Sequence, residues 1–237
     1  MAERTGYTVD PQGVALLRLE RPKARNAIDT PMLEELLGHL AAAREDGAVR
    51  VLVLSSSDQM GLSAGADVRE QLDEEGQVHR MQLFADLYDG IAAFAKPTVA
   101  ACHGDVVGGG AEIAVACDMR VGGANLRMRF PGAALGVPVG PARLVTLCGL
   151  AAAKYLLLSS RTVGADEALR IGLVNRVAPA AATEEAALEL ATSVAAHPPE
   201  AVARLKRMLH EWDDVEGRSK VEGKGQVEWA AANPGGL

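Results

Sequence analysis

The stretch Lys96 to Asp118 reads KPTVAACHGDVVGGGAEIAVACD, and the fold follows from how it is parsed. A short β-branched run, Thr98 to Cys102, ends at Gly104. The triple glycine Gly108, Gly109 and Gly110 then opens an apolar segment carrying a single acid, Glu112. This pattern predicts a strand, a tight turn and a helix beginning near Gly109. Glycines at such a turn let the backbone approach a ligand closely, and the first amides of a helix have no intrahelical partner. They can bind an oxygen carrying negative charge, an oxyanion or a phosphate, with Glu112 one turn inside the helix. The same letters also suit a flexible turn before a buried helix. The spacing is neither GxGxxG nor GxxxxGK[ST], so it indicates neither a dinucleotide nor ATP.

Upstream, Val14 to Leu19 reads as a strand broken by Arg21-Pro22, and Thr30-Pro31 as a helix start with a capping hydroxyl and a proline in the first turn. Leu33, Leu36, Leu37 and Leu40 follow at i, i+3, i+4 and i+7, one core-facing stripe. Val51 to Leu54 is a continuous apolar run, as expected of a strand covered on both faces, so strand, helix and strand form a parallel crossover. The loop Ser55 to Asp67 then lies beyond the carboxyl end of a strand, the edge where ligand sites gather in α/β folds. A helical pattern from Gln77 to Ala95 carries Met81, Phe84, Ala85, Tyr88 and Ile91 on one side and leads back through Pro97 to the focal strand.

Downstream, Met119 to Val121 and Leu126 to Phe130 read as two short strands, and Gly132 to Pro141 as loop. Helices are expected over Arg143 to Leu158, Ala165 to Ile171, Thr183 (as cap) to Ala196, and Glu200 to Trp212, with a short strand at Val174 to Val177. The remainder, Val215 to Leu237, is charged and rich in glycine. Residues 1–195 are expected to form the core domain and residues 196–237 a helical C-terminal region with a short tail.

The 237 residues suffice for a substantial core, and 49% are hydrophobic but only 3% aromatic, so that core is built from Ala, Val and Leu. There is no run of 18 apolar residues and no basic-then-apolar leader, from which a soluble, cytoplasmic protein with no membrane partner is expected. A net charge of -7 argues against nucleic acid as a partner. Cys102, Cys117 and Cys148 lack CxxC spacing and read as buried thiols, and His39, His79, His197 and His210 have no metal-ligand spacing, so no metal is expected. Ser63 lies in SAGAD, which is not GxSxG, and His103 reads as a structural hydrogen-bonding group at a strand end.

Three motifs, RPKARNA at Arg21 to Ala27, SAGAD at Ser63 to Asp67 and the focal stretch, together resemble the crotonase superfamily, the enoyl-CoA hydratase and isomerase group, over about residues 7 to 210. The resemblance implies a crotonase-like α/β spiral of ββα units, in which two roughly perpendicular sheets are wrapped by helices, and a trimer or dimer of trimers. It implies an acyl-CoA thioester whose enolate oxygen is held by the Ala66 and Gly109 backbone N–H groups, with Glu112 as acid/base. Coenzyme A, a part of the substrate and not a separate cofactor, is placed around Lys23, Ala24 and Asn26 on one side and Ala64, Asp67 and Val68 on the other. Lys23 or Arg25 would meet phosphate oxygens, and Asp67 would shape the loop.

The chain also departs from the family. Hydratases of this group use a second glutamate, and the position 20 residues beyond Glu112 is Gly132. No Asp or Glu occurs between Asp118 and Asp166, so a small shift in alignment does not recover it. Three outcomes stay open: a slow hydratase in which Glu112 does both jobs, a one-base isomerase or decarboxylase, or a non-catalytic acyl-CoA-binding protein. The short tail implies a pocket that is more open, or closed by a partner subunit.

Overall fold

The computed structural model describes residues 4–234. β1 (Thr5–Val9) and β2 (Val14–Leu19) form an antiparallel pair, and α1 (Thr30–Glu45) crosses to β3 (Val51–Ser56). Three units of one kind follow. They are β3, β4 (Gly61–Ser63) and α2 (Glu74–Ala92); β5 (Thr98–Cys102), β6 (Asp105–Val107) and α3 (Gly109–Ala116); and β7 (Met119–Gly123), β8 (Arg127–Arg129) and α4 (Gly132–Leu135). Each unit sends its first strand to a six-stranded sheet, ordered β1-β2-β3-β5-β7 and closed by β10 (Arg176–Ala178). Each sends its second strand to a four-stranded sheet, β4-β6-β8, closed by β9 (Thr162–Gly164). The remaining helices are α5 (Pro141–Ser159), α6 (Ala165–Arg170), α7 (Thr183–Ala195), α8 (Pro199–Trp212) and α9 (Val215–Ala232).

The spiral of ββα units expected from the resemblance is present, with two mixed sheets and a helical C-terminal region. The repeating unit itself is not visible in the sequence. β4 and β6 are three residues each, too short for a period-2 pattern, and Met119–Gly123 and Arg127–Arg129, which read as neighbours across a turn, belong to different sheets.

The large sheet is buried on both faces, which is why its strands read as continuous apolar runs. Ala15, Leu17, Leu19, Leu52, Leu54, Ala100 and Cys102 face α1, α2 and α3. The alternate residues Val14, Leu16, Val51, Val53, Val99, Ala101 and Val121 meet Ala186, Ala187, Ala191 and Ala195 of α7. Small residues on α7 let it lie close on the sheet, and this is how a core so poor in aromatics stays filled.

Several local expectations are corrected. Asp29, not Thr30, caps α1, accepting from Met32 N at 3.1 Å. Thr183 begins α7 but does not cap it; its hydroxyl donates backwards to Ala180 O at 2.9 Å. Gly132 opens a one-turn helix where loop is expected. The glycine-rich tail is an 18-residue helix, α9, lying along α2. Its buried residues, Ser219, Gly223, Gln226 and Ala230, are small or polar, so no apolar period announces it.

Asp118 joins α8 to the sheet. Its Oδ2 accepts from Thr98 N (2.7 Å), Thr98 Oγ1 (3.0 Å) and Lys206 Nζ (2.7 Å), and its Oδ1 pairs with His210 Nε2 at 3.2 Å. Burial alone would raise this carboxyl, but the His210 hydrogen bond and the Lys206 ammonium outweigh it and hold the pKa below the ordinary value. Such a group stabilises the fold above its unfolded pKa and ceases to do so as pH falls through the folded one. Asp118→Asn should therefore cost about 3 kcal/mol at neutral pH, read from urea midpoints, and the difference from wild type should shrink in acid.

Candidate active site

The loop carrying SAGAD and the turn before α3 meet at the edge where the two sheets come together. Ile28 N donates to Gly65 O and Asp67 N to Ile28 O, both at 2.8 Å, so the parallel bridge between Ile28 and Ala66 uses Ala66's neighbours and leaves its own N–H turned away. On the other side Gly108 adopts φ 51, ψ -119, a conformation open to glycine, and α3 begins at Gly109 with its first amides unpaired within the helix. The loops touch: a Cβ built on Gly65 would lie 3.5 Å from Gly109 N, and one on Gly110 would lie 2.6 Å from Ser63 Cβ. Ser63 is spent on this shape, donating to Asn26 O at 2.6 Å and accepting from Gly65 N at 3.1 Å.

Glu112, 1% exposed, stands one turn inside α3. Its Oε2 accepts from Arg143 Nε (3.1 Å) and Nη2 (2.9 Å), and Arg143 Nη2 is also bonded to Glu222 Oε1 of α9. Glu222 is itself pinned, its Oε2 accepting from Ala142 N at 2.7 Å, where it serves the N-terminus of α5 that has no side-chain cap of its own. One guanidinium thus stands between two carboxylates brought together from three helices. Burial pushes Glu112 up to about 7, the Arg143 charge opposing this and the Glu222 charge reinforcing it. Arg143 stays charged, because the two carboxylates outweigh its burial, and it stacks over the Tyr88 ring at 5.1 Å. Burial and the Glu112 charge raise the Tyr88 hydroxyl well above its ordinary value, so it remains a neutral phenol.

Glu112 and Tyr88 line a cavity of about 300 Å³ together with Ala64, Ala66, Gly109 and Val68. Its far walls come from α2, the Pro131 to Val139 segment and Gln226 of α9. The tail, expected to leave the pocket more open or closed by a partner subunit, supplies Gln226 to its wall. α5, at 19 residues and with an 18-residue window of mean hydropathy 1.4, is long and apolar enough by composition to cross a bilayer; it breaks at Gly149 (φ 77, ψ 158) and carries the buried Arg143 to Glu112.

The residues expected to hold coenzyme A divide. Ala64 and Val68 lie on the cavity rim, and Lys23 and Ala24 sit on the adjoining turn, which Ala64 N joins by donating to Arg25 O at 3.0 Å. Lys23 is exposed and has no ion-pair partner among the described residues, whereas Arg25 is paired with Asp105. Asn26 is fully buried with its amide committed: it accepts from Arg21 N at 2.7 Å and donates to Ser56 Oγ at 2.6 Å. Its side chain therefore holds the loop and does not face a ligand. Asp67 does the same, accepting from Arg21 Nη2 and Arg69 N at 3.1 Å. His103 Nε2 bonds Asp58 O at 2.8 Å, the structural role expected of it.

Gly132 lines the cavity, yet a Cβ there would lie 2.7 Å from the Val137 carbonyl oxygen. The segment is built around a residue without a side chain, so a glutamate cannot simply be restored. Arg143, Glu222 and Gln226 are not marked in the sequence; Arg143 interrupts an apolar helix and Glu222 lies 79 residues away from it.

A fold of ββα units with a carboxylate buried behind two adjoining backbone loops defines a class of acyl-thioester enzymes. The chain belongs to the enoyl-CoA hydratase/isomerase family, whose model matches residues 10–226. It is 35% identical over 207 residues to 2,3-dehydroadipyl-CoA hydratase of Escherichia coli, covering 86% of this chain and 81% of that one. It is 33% identical over 203 residues to a short-chain-enoyl-CoA hydratase of Clostridium acetobutylicum, covering 83% and 77%. Among solved structures, an enoyl-CoA hydratase from Bacillus anthracis superposes with a TM-score of 0.85 at 27% identity, over 96% of this chain and 90% of the other.

The network fixes the sign of two effects on Glu112. Glu222→Gln removes a neighbouring negative charge and should bring the Glu112 pKa below about 7, while Arg143→Met should push it further up. Carbon-13 NMR titration of labelled glutamates reads both; shifts in the opposite directions would contradict the arrangement. Gly132→Ala should lower the urea midpoint by the equivalent of about 1–3 kcal/mol through overpacking against Val137.

Proposed function

We propose that the protein transfers a proton reversibly at C2 of an acyl-CoA thioester, and that its overall reaction is hydration of a 2-enoyl-CoA with one carboxylate. The observation carrying this reading is Glu112, fully buried one turn behind the Gly109 amide with its pKa raised to about 7. At that value both the acid and the base form are populated near neutral pH, which suits a group that must take a proton and give it back.

In this reading the thioester oxygen lies against the Ala66 and Gly109 N–H groups, each such donor being worth ~3 kcal/mol to a developing oxyanion. Water attacks C3 and loses a proton to the Glu112 carboxylate. The C2–C3 π electrons move onto the thioester oxygen as an enolate. The enolate then collapses, and C2 takes the proton from Glu112. Arg143 and Glu222 act as positioning residues that hold the Glu112 carboxylate, and Lys23 meets the phosphates of coenzyme A.

A second reading is double-bond migration, in which one base removes a proton from C2 of a 3-enoyl thioester and returns it to C4. It is favoured by Gly132, which supplies neither a carboxylate nor room for one. Loss of crotonyl-CoA absorbance separates the two. Wild type should hydrate it and Glu112→Gln should lose about 100- to 10,000-fold while still binding the thioester. A wild type that binds crotonyl-CoA without turning it over, yet converts 3-enoyl to 2-enoyl thioesters, would replace hydration with migration. Binding with neither reaction would leave an acyl-CoA-binding protein.

We further propose assembly as a trimer or dimer of trimers. α8 presents Leu205, Leu209 and Trp212, spaced i, i+4 and i+7, with 61%, 61% and 78% of their surfaces exposed in the single chain. Light scattering should give three or six copies, and the double variant Leu205→Glu, Trp212→Glu should give fewer.

A further inference from the structure

Gln226 lines the cavity but takes no part in the chemistry above. Gln226 is 1% exposed, reaches the cavity from α9, and its Oε1 has no hydrogen-bond partner. The same cavity is lined by the apolar Val68, Met81, Phe84, Leu135 and Val139, with Arg129 also on its lining. The placement is fixed by the helix that carries it. Glu222, one turn earlier on the same face, is held by Arg143 and Ala142 N, and Gly223 lets α9 settle on α2, where even a Cβ would come within 3.1 Å of Ala85 Cβ.

We propose that Gln226 is a specificity-determining residue that recognises a hydroxyl group on the acyl chain, so that the site prefers hydroxyacyl thioesters to aliphatic ones of equal length. This rests on the acyl-thioester reading of the cavity. A primary amide neither ionises nor moves protons at neutral pH, so it is not the missing second acid. An aliphatic chain that displaces water from the cavity leaves the amide oxygen buried and unpaired, whereas a hydroxyl donates to it. Sites built around a buried polar group discriminate strongly against ligands that leave it unpaired. An acyl-chain carboxylate is disfavoured at the Gln226 oxygen, because it has no proton to donate to it.

The test uses saturated thioesters, so that affinity is read without turnover. Calorimetry would compare butyryl-CoA with 4-hydroxybutyryl-CoA, pentanoyl-CoA with 5-hydroxypentanoyl-CoA, and succinyl-CoA as the carboxylate arm. For wild type, at least one hydroxylated thioester should bind about 10-fold or more tightly than its aliphatic counterpart, and Gln226→Met should remove the preference by strengthening the aliphatic ligand. Equal affinities in wild type at both lengths, or a preference for succinyl-CoA, would overturn the proposal without recourse to any variant. So would a Gln226→Met protein that weakens every ligand alike, as expected if the amide held water or only shaped the cavity. If no thioester binds at all, the acyl-thioester reading has failed first, and that outcome is distinct from the others.

Discussion

Arg143 is the group on which the site depends. Its guanidinium is buried between Glu112 and Glu222, so three charges from α3, α5 and α9 are removed from water together. Desolvating them is expensive, and such an arrangement is weak evidence for stability in itself. Its value is positional: breaking one contact leaves a buried charge unpaired, so the three helices are held in one relation and the Glu112 carboxylate is kept behind the first turn of α3. The same network leaves Glu112 near neutrality and not far above it, because the Arg143 cation offsets part of the cost of burial.

The two ends of α3 are electrostatic opposites. Asp118, just beyond its C-terminus, has a depressed pKa, so its contribution to stability grows as pH rises from that value to the ordinary carboxyl one and is fully present above it. Glu112, at its N-terminal end, has a raised one, so the folded state holds its proton more tightly than the unfolded state does. Stability is lost as pH rises from the ordinary carboxyl value toward about 7. The structural carboxylate is tuned for the fold, and the buried one is held in a state that costs the fold something, as is common where a group has chemistry to do.

Much of this was legible in the sequence because it is local. The strand, turn and helix of Lys96 to Asp118, the leucine stripe of α1, the apolar strands and the place of Glu112 all follow from spacing and glycine chemistry. What was not legible depends on contacts between distant segments. β4 and β6 exist because they pair with each other and with β8, not because three residues prefer a strand. α9 is a helix whose buried stripe is Ser219, Gly223, Gln226 and Ala230, and it reads as a solvated tail until α2 is seen beneath it. Arg143 and Glu222 carry no motif. Asn26 illustrates the reverse case: the motif places it beside coenzyme A, whereas its amide is turned inward to Ser56 and the Arg21 backbone.

The central claim is that two backbone amides and one carboxylate suffice to make and unmake a thioester enolate here. Exchange of the C2 protons of butyryl-CoA into deuterium oxide, followed by proton NMR, tests it without requiring water addition or a second acid. The account predicts exchange catalysed by the wild-type protein, rising as pH passes through about 7 and abolished in Glu112→Gln. Tight binding of butyryl-CoA with no exchange above the uncatalysed rate, or exchange undiminished in Glu112→Gln, would contradict it.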